Sequence, residues 1–173
     1  MSTKKSHRVL FLEDTDEDAE LLERRLRETG LNLELKRVVN KAAYLEALEN
    51  FAPEIVISDY QLTDIDGDAA FNLARERNPS IPFIILSGTV DDSFASRMLK
   101  SGVSDFILKD RPERLGSAVE RALLEVDKKQ LDVEYKKRTE QLEVENEELR
   151  QRMLRIKQLR DELESLKNEL KRT

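Results

Sequence analysis

The sequence predicts an α/β fold, a doubly wound, five-stranded parallel sheet followed by a long C-terminal helix of coiled-coil type. Three observations carry this. The runs VLFL (residues 9–12), IVIS (55–58) and FIIL (83–86) are almost continuously apolar, as strands covered on both faces must be. Segments of helical period separate the short strands, and β-then-α alternation implies parallel pairing through right-handed crossovers. The breakers stop early: all five glycines and all four prolines lie at or before Gly116.

Taken in order, strands are expected over 9–12, 33–38, 55–58, 83–86 and 106–108, and helices over 16–29, 41–50, 68–76 and 91–100. The segment TVDD, 89–92, has capping-box spacing and should open the fourth helix. DRPE, 110–113, reads as an N-cap with proline in the first turn of the fifth. That helix should pack on the sheet through Leu115, Val119, Ala122, Leu123 and Val126.

Composition sets the limits. A chain of 173 residues suits one compact domain plus something extra. Apolar residues at 39% can build a core, but charged residues at 38% exceed the usual quarter. Without cysteine there is neither a disulfide framework nor a thiolate metal site. No apolar run reaches the length of a membrane span or signal segment, so the expectation is a cytoplasmic protein with no membrane partner. A net charge of −6 argues against nonspecific nucleic-acid binding. Residues 125–173 hold 13 acids and 13 bases, so the preceding residues carry the whole −6. Two physical regimes meet there: a globular domain, 1–126, and a highly charged helix, 127–173.

In an open parallel sheet, ligands bind at the carboxyl ends of the strands. The stretch IVISDYQLTDIDG runs from a buried strand straight into Asp59, a costly place for a charge. The first strand likewise ends in Glu13 and Asp14, the fourth in Ser87-Gly88-Thr89, and the fifth in Lys109. Each alone reads as a cap or turn residue, but together they converge on one edge. Clustered carboxylates repel unless a cation sits among them, and oxygen ligands without His or Cys favour Mg²⁺. A lysine supplies positive charge for a phosphoryl group, and a serine hydroxyl can donate one hydrogen bond to it. Asp59 then reads as a nucleophile that forms an acyl phosphate.

These residues resemble those of a response-regulator receiver domain of two-component signalling, CheY-like, over roughly 6–126. The resemblance rests on the pair Glu13-Asp14, the acceptor in VISDY, the LSG segment with Ser87, and Lys109 after VSDFIL. It implies a flavodoxin-like fold and phosphoryl transfer to Asp59 from the phosphohistidine of a histidine kinase or phosphotransfer protein. It also implies Mg²⁺, with Mn²⁺ as a substitute, on Glu13, Asp14, Asp59 and the backbone carbonyl of Gln61. Lys109 and Ser87 would contact the phosphoryl group, and Ser87 and Phe106 would form the switch. The only catalysis implied is autophosphorylation from a donor and autodephosphorylation.

The chain departs from the family pattern in two places. Glu13 stands where Asp is commoner, and its extra methylene still allows a water-mediated metal contact. Asp110 replaces the usual proline after the lysine, and a cis bond without proline costs about 2.5–4 kcal/mol, so the cis geometry is not expected. Gln61, two residues after the acceptor, either orients an attacking water or points to solvent.

In the tail, Tyr135, Leu142, Leu149, Ile156, Leu163 and Leu170 recur every seven residues, with Leu131, Leu159 and Leu166 at the complementary position. This pattern predicts a left-handed coiled coil. A homodimer through it is expected to be parallel, because relaying a signal to a following domain needs both chains aligned. The middle is weaker: an unbroken register places Arg138, Glu145 and Arg152 in the core, whereas a stammer near Ile156 admits Asn146 and Met153 instead. The alternative is a solvated single helix held by i,i+4 ion pairs.

The one histidine, His7, precedes the first expected strand and reads as a surface residue, so this chain has no kinase phosphoacceptor helix. Lys128-Lys129 and Lys136-Lys137-Arg138 are interleaved with acids, which disfavours a basic-zipper DNA contact. No Gly-rich phosphate loop is present. The leading reading is a phosphorylation-dependent signalling module. Receivers followed by such helices resemble the input end of larger proteins with sensor, kinase or cyclase domains, which leaves open a piece of a longer protein or an adaptor. The runner-up is a Mg²⁺-dependent phosphohydrolase with an aspartyl nucleophile. It is weakened because Gln61 stands where haloacid-dehalogenase-like phosphatases need a second Asp. A third reading is a structural coiled-coil protein with a degenerate receiver.

Overall fold

In the computed structural model, which describes residues 5–89 and 92–171, the apolar runs form the centre of a parallel sheet. The strands β1 (His7–Leu12), β2 (Leu33–Val38), β3 (Ile55–Asp59), β4 (Phe83–Ser87) and β5 (Asp105–Leu108) lie in the order β2-β1-β3-β4-β5. Every neighbouring pair is parallel. The helices are α1 (Asp16–Glu28), α2 (Lys41–Asn50), α3 (Gly67–Arg77), α4 (Asp92–Ser101) and α5 (Arg114–Leu170). The strand order reverses at β1, so the ends of β1 and β3 flank the crevice where such sheets bind ligands.

Both faces are covered, which explains the lack of alternation in the central strands. Val9, Phe11, Ile57, Ile84 and Ile107 pack with Leu22 and Leu26 of α1 and Leu115 and Val119 of α5. Leu10, Leu12, Val56, Phe83 and Ile85 face the other way, toward Tyr44 of α2, Phe71 and Ala74 of α3 and Met98 of α4. Asn40 and Asp66 cap α2 and α3, accepting from Ala43 N at 2.9 Å and Ala69 N at 2.7 Å.

Three expectations change. His7 is not a surface residue: its N–H bonds the Asn32 carbonyl at 2.9 Å, so β1 begins there, and the side chain is buried. Its ring lies 3.7 Å from Glu54 and 3.6 Å from Asp127, side chains that a sequence does not place above it. α5 begins at Arg114 rather than beside Asp110. The chain first makes tight i→i+3 turns, with Leu115 N on the Pro112 carbonyl at 3.1 Å. The capping box at 89–92 falls largely outside the described residues. No peptide bond among the described residues is cis, so Lys109–Asp110 is trans, as the aspartate there led us to expect.

The start of α5 buries Leu115, Ala118, Val119, Ala122 and Leu123, one helical stripe. Gly116 is not a break but a contact: a Cβ there would lie 3.0 Å from Thr29 Cγ2. The chain divides into a unit ending at Asp127 and one beginning at Lys128. The second holds the rest of α5, where the large apolar residues from Leu131 to Leu170 are exposed. Among the described residues, no helix is long and apolar enough to cross a membrane.

Candidate functional site

The strand ends supply the site. Asp59 closes β3 and is 6% exposed. Its Oδ1 accepts from Gln61 N at 3.2 Å, and its Oδ2 lies 2.8 Å from Lys109 Nζ. Glu13, just past β1, has no exposed surface. Its Oε2 meets Lys109 Nζ at 2.9 Å, and its Oε1 accepts from Thr15 N at 3.0 Å. Burial pushes the Glu13 carboxyl above the usual carboxylate range, against the pull of the Lys109 ammonium. Asp14 is less covered. Hydrogen bonds from Thr63, by Oγ1 at 2.8 Å and N at 3.2 Å, hold its carboxyl below the usual range.

Carboxylate oxygens of Glu13, Asp14 and Asp59 all lie within 4.8 Å of one another. Such an all-oxygen, multiply charged set suits a hard divalent cation. Lys109, at the end of β5, reaches across the sheet to this group. Burial disfavours its charge, but the carboxylates of Asp18, Asp59 and Glu13 outweigh burial and keep it firmly protonated.

The model of the family described as the response regulator receiver domain matches residues 9–120. The chain belongs to that family. Among curated relatives, the DNA-binding transcriptional regulator NtrC of Escherichia coli K12 is 31% identical over 125 residues, covering 70% of this chain and 26% of that protein. The transcriptional regulatory protein ZraR of the same strain is 27% identical over 116 residues, covering 66% of this chain and 26% of the relative. This chain therefore spans about a quarter of the length of the curated relatives it matches. Among solved structures, a putative response regulator from Chloroflexus aurantiacus superposes with a TM-score of 0.61 at 28% identity, covering 69% of this chain and 99% of that one. The receiver domain of a putative Luxo repressor from Vibrio parahaemolyticus gives 0.67 at 21% identity, covering 73% and 97%. The latter likeness is one of fold.

Within the receiver domain, the other expected residues are less uniformly placed. Ser87 is buried at the end of β4, but its hydroxyl donates to the Thr89 carbonyl at 2.8 Å. To serve a group on Asp59 it would have to turn. Phe106 on β5 is buried in the cluster that holds Ile85, Met98 and Val103. The Gln61 side chain is exposed, while its backbone bridges to Asp66.

Three residues were missed by sequence reasoning. Thr63 fixes Asp14 from the loop after β3. Arg37, at the end of β2, donates to the Glu13 carbonyl at 2.8 Å and to Asp16 Oδ1 at 2.7 Å, clasping the loop after β1. Asp18, in the first turn of α1, lies 2.6 Å from Lys109 Nζ. The only available signal for Asp18 was the run of acids Asp16, Glu17 and Asp18 close behind Glu13 and Asp14, which reads equally well as charge favoured at a helix start.

Proposed function

We propose that this chain is a phosphoacceptor module of a two-component relay. Asp59 takes a phosphoryl group from the phosphohistidine of a histidine kinase or phosphotransfer protein. A carboxylate oxygen of Asp59 bonds to phosphorus as the P–N bond breaks, and the imidazole nitrogen keeps the electron pair. The single observation that carries this reading is the buried Asp59 carboxylate 2.8 Å from a lysine ammonium, with two further acids at the same sheet edge.

Glu13, Asp14, Asp59 and the Gln61 carbonyl would hold Mg²⁺ or Mn²⁺, which would neutralise the charge gathering on the phosphoryl oxygens. Lys109 supplies a second positive charge. Ser87, once turned from Thr89, donates a hydrogen bond to a phosphoryl oxygen, and Phe106 repacks behind it. The change then reaches an output or partner through residues 127–173 as a dimeric coiled coil. Labelling by acetyl phosphate, followed by intact mass, tests the acceptor. Wild type should gain one phosphoryl group only when Mg²⁺ or Mn²⁺ is present, and Asp59→Asn should gain none. Acid-stable phosphate on a serine or threonine would contradict the reading.

A further inference from the structure

Carboxylates that hold a metal must themselves be held in place, and the three acids of this site are held by different means. Glu13 and Asp59 are buried, and each takes one Lys109 N–H and one backbone N–H, from Thr15 at 3.0 Å and from Gln61 at 3.2 Å. Asp14 is only half-buried, and the three ammonium donors go to Glu13, Asp18 and Asp59 instead. Its Oδ2 accepts twice from a single residue, Thr63, by Oγ1 at 2.8 Å and N at 3.2 Å. Thr63 is exposed and sits on the loop 60–66 between β3 and α3. That loop is also pinned elsewhere: at Asp59 through Gln61 N, at the start of α2 through Lys41 N on Asp64 Oδ2 at 2.9 Å, and at its base through Gly67 N on the Tyr60 carbonyl at 3.1 Å. Thr63 therefore ties Asp14 to a backbone that other bonds already fix.

We propose that Thr63 is a positioning residue for the divalent cation, holding the Asp14 carboxylate in the orientation that the cation uses and so raising its affinity. The proposal rests on the reading of Glu13, Asp14 and Asp59 as the metal set. In the orientation that Thr63 fixes, a carboxylate oxygen of Asp14 already lies within 4.8 Å of oxygens from Glu13 and Asp59. Without the tether, a half-exposed aspartate would sample other rotamers in water, and gathering it in again would draw on the free energy of metal binding. Mg²⁺ tolerates this poorly, since it demands near-ideal octahedral geometry. Thr63 acts through Asp14 alone. Its loss should weaken the metal without changing what Asp59 and Lys109 do once the metal is bound.

The test is Mn²⁺ binding to the intact, unphosphorylated chain, followed by loss of the free-ion electron paramagnetic resonance signal. Thr63→Val keeps the shape and the backbone N–H but removes the hydroxyl. It should raise the Mn²⁺ dissociation constant about tenfold, the lower end of the range for losing a partner that orients a metal ligand. Thr63→Ser restores the hydroxyl and should bind as wild type does. Labelling of Asp59 by acetyl phosphate gives a second readout. In Thr63→Val the Mg²⁺ concentration for half-maximal rate should rise by a similar factor, while the rate at saturating Mg²⁺ should match wild type. An unchanged dissociation constant in Thr63→Val, a Thr63→Ser variant as weak as Thr63→Val, or a rate that saturating Mg²⁺ does not restore overturns the proposal. Failure of the metal reading looks different: wild type takes up no Mn²⁺, or Asp14→Asn binds it as tightly as wild type, and both ideas fall together.

Discussion

A methyl group on Gly67 would lie 2.6 Å from Tyr60 Cδ2 and 3.2 Å from Tyr60 Cα. The second contact is with backbone, so the side chain cannot simply swing clear. Gly67 N also bonds the Tyr60 carbonyl at 3.1 Å, which closes the loop that carries Gln61 past Asp59. Gly67→Ala should therefore destabilise the fold by about 1–3 kcal/mol, as overpacked sites do. It should also slow labelling by shifting the Gln61 N–H away from Asp59. An unaltered urea midpoint would refute the close approach.

A second residue-scale prediction concerns Glu54, whose side chain is 8% exposed. Burial raises its pKa, but Lys5 at 3.0 Å and the Arg8 N–H at 3.1 Å outweigh burial and hold it below its ordinary 4.5. A carboxyl depressed on folding stabilises above its unfolded pKa, and that stability is lost as pH falls through the folded value. Glu54→Gln should thus be less stable than wild type at pH 7, with the gap closing below about pH 4.5. Denaturation midpoints across the acid range check this, and a gap that persists in acid would contradict it. At this scale, Glu13, Asp14, Asp59 and Lys109 were legible because each directly ends or follows a strand. Asp18, Thr63 and Arg37 were not, because their reach depends on how a helix turn, a loop and an edge strand fold back on that edge.

The elements show the same division between local and non-local signals. α2 was legible to the residue, 41–50, from its helical period alone, and the Asn40 side chain that caps it in the structure is a local feature as well. β1 and α5 were displaced by two residues or more at their starts, where the hydrogen bond from His7 N to the Asn32 carbonyl and turns around Pro112 decide. What joins α2 to α3 is likewise non-local: fully buried Tyr44 donates its hydroxyl to the Ala70 carbonyl at 2.8 Å. Burial holds the phenol well above its ordinary pKa, so it stays a donor. Tyr44→Phe should cost about 0.5–1.5 kcal/mol for the lost hydrogen bond. Tyr44→Ala should cost about 3–5 kcal/mol, since it also leaves a cavity of aromatic size. Equilibrium unfolding of both variants measures the two terms, and an unchanged stability in Tyr44→Phe would show that the hydroxyl contributes nothing.

For the whole molecule, the question is what covers the apolar stripe of α5. Leu131, Tyr135, Leu142, Leu149, Ile156, Leu159, Leu163, Leu166 and Leu170 are all exposed in a single chain. Scattered surface leucines are ordinary, but a sustained seven-residue repeat marks one seam. We infer that a second copy of this helix covers it, since that copy presents the same repeat. Leu159, Leu163, Leu166 and Leu170 should supply most of the association, each buried large side chain contributing roughly 1.5–3 kcal/mol. In an unbroken register Arg138, Glu145 and Arg152 would occupy the complementary position, and with a stammer near Ile156 Asn146 and Met153 would enter instead; in either register the middle should be the weaker part, with room for a shift of register or rotation. Parallel pairing is expected because a signal relayed beyond the tail needs both chains aligned. The weak centre would then be the bistable element, biased by whether Asp59 is phosphorylated. Sedimentation should give a dimer for the intact chain with and without acetyl phosphate, and a monomer for a chain ending at Val126. Single cysteines at matching positions of the last two heptads should cross-link like with like. A monomeric intact chain at micromolar concentration, or cross-links joining opposite ends of the tail, would sink the parallel dimer.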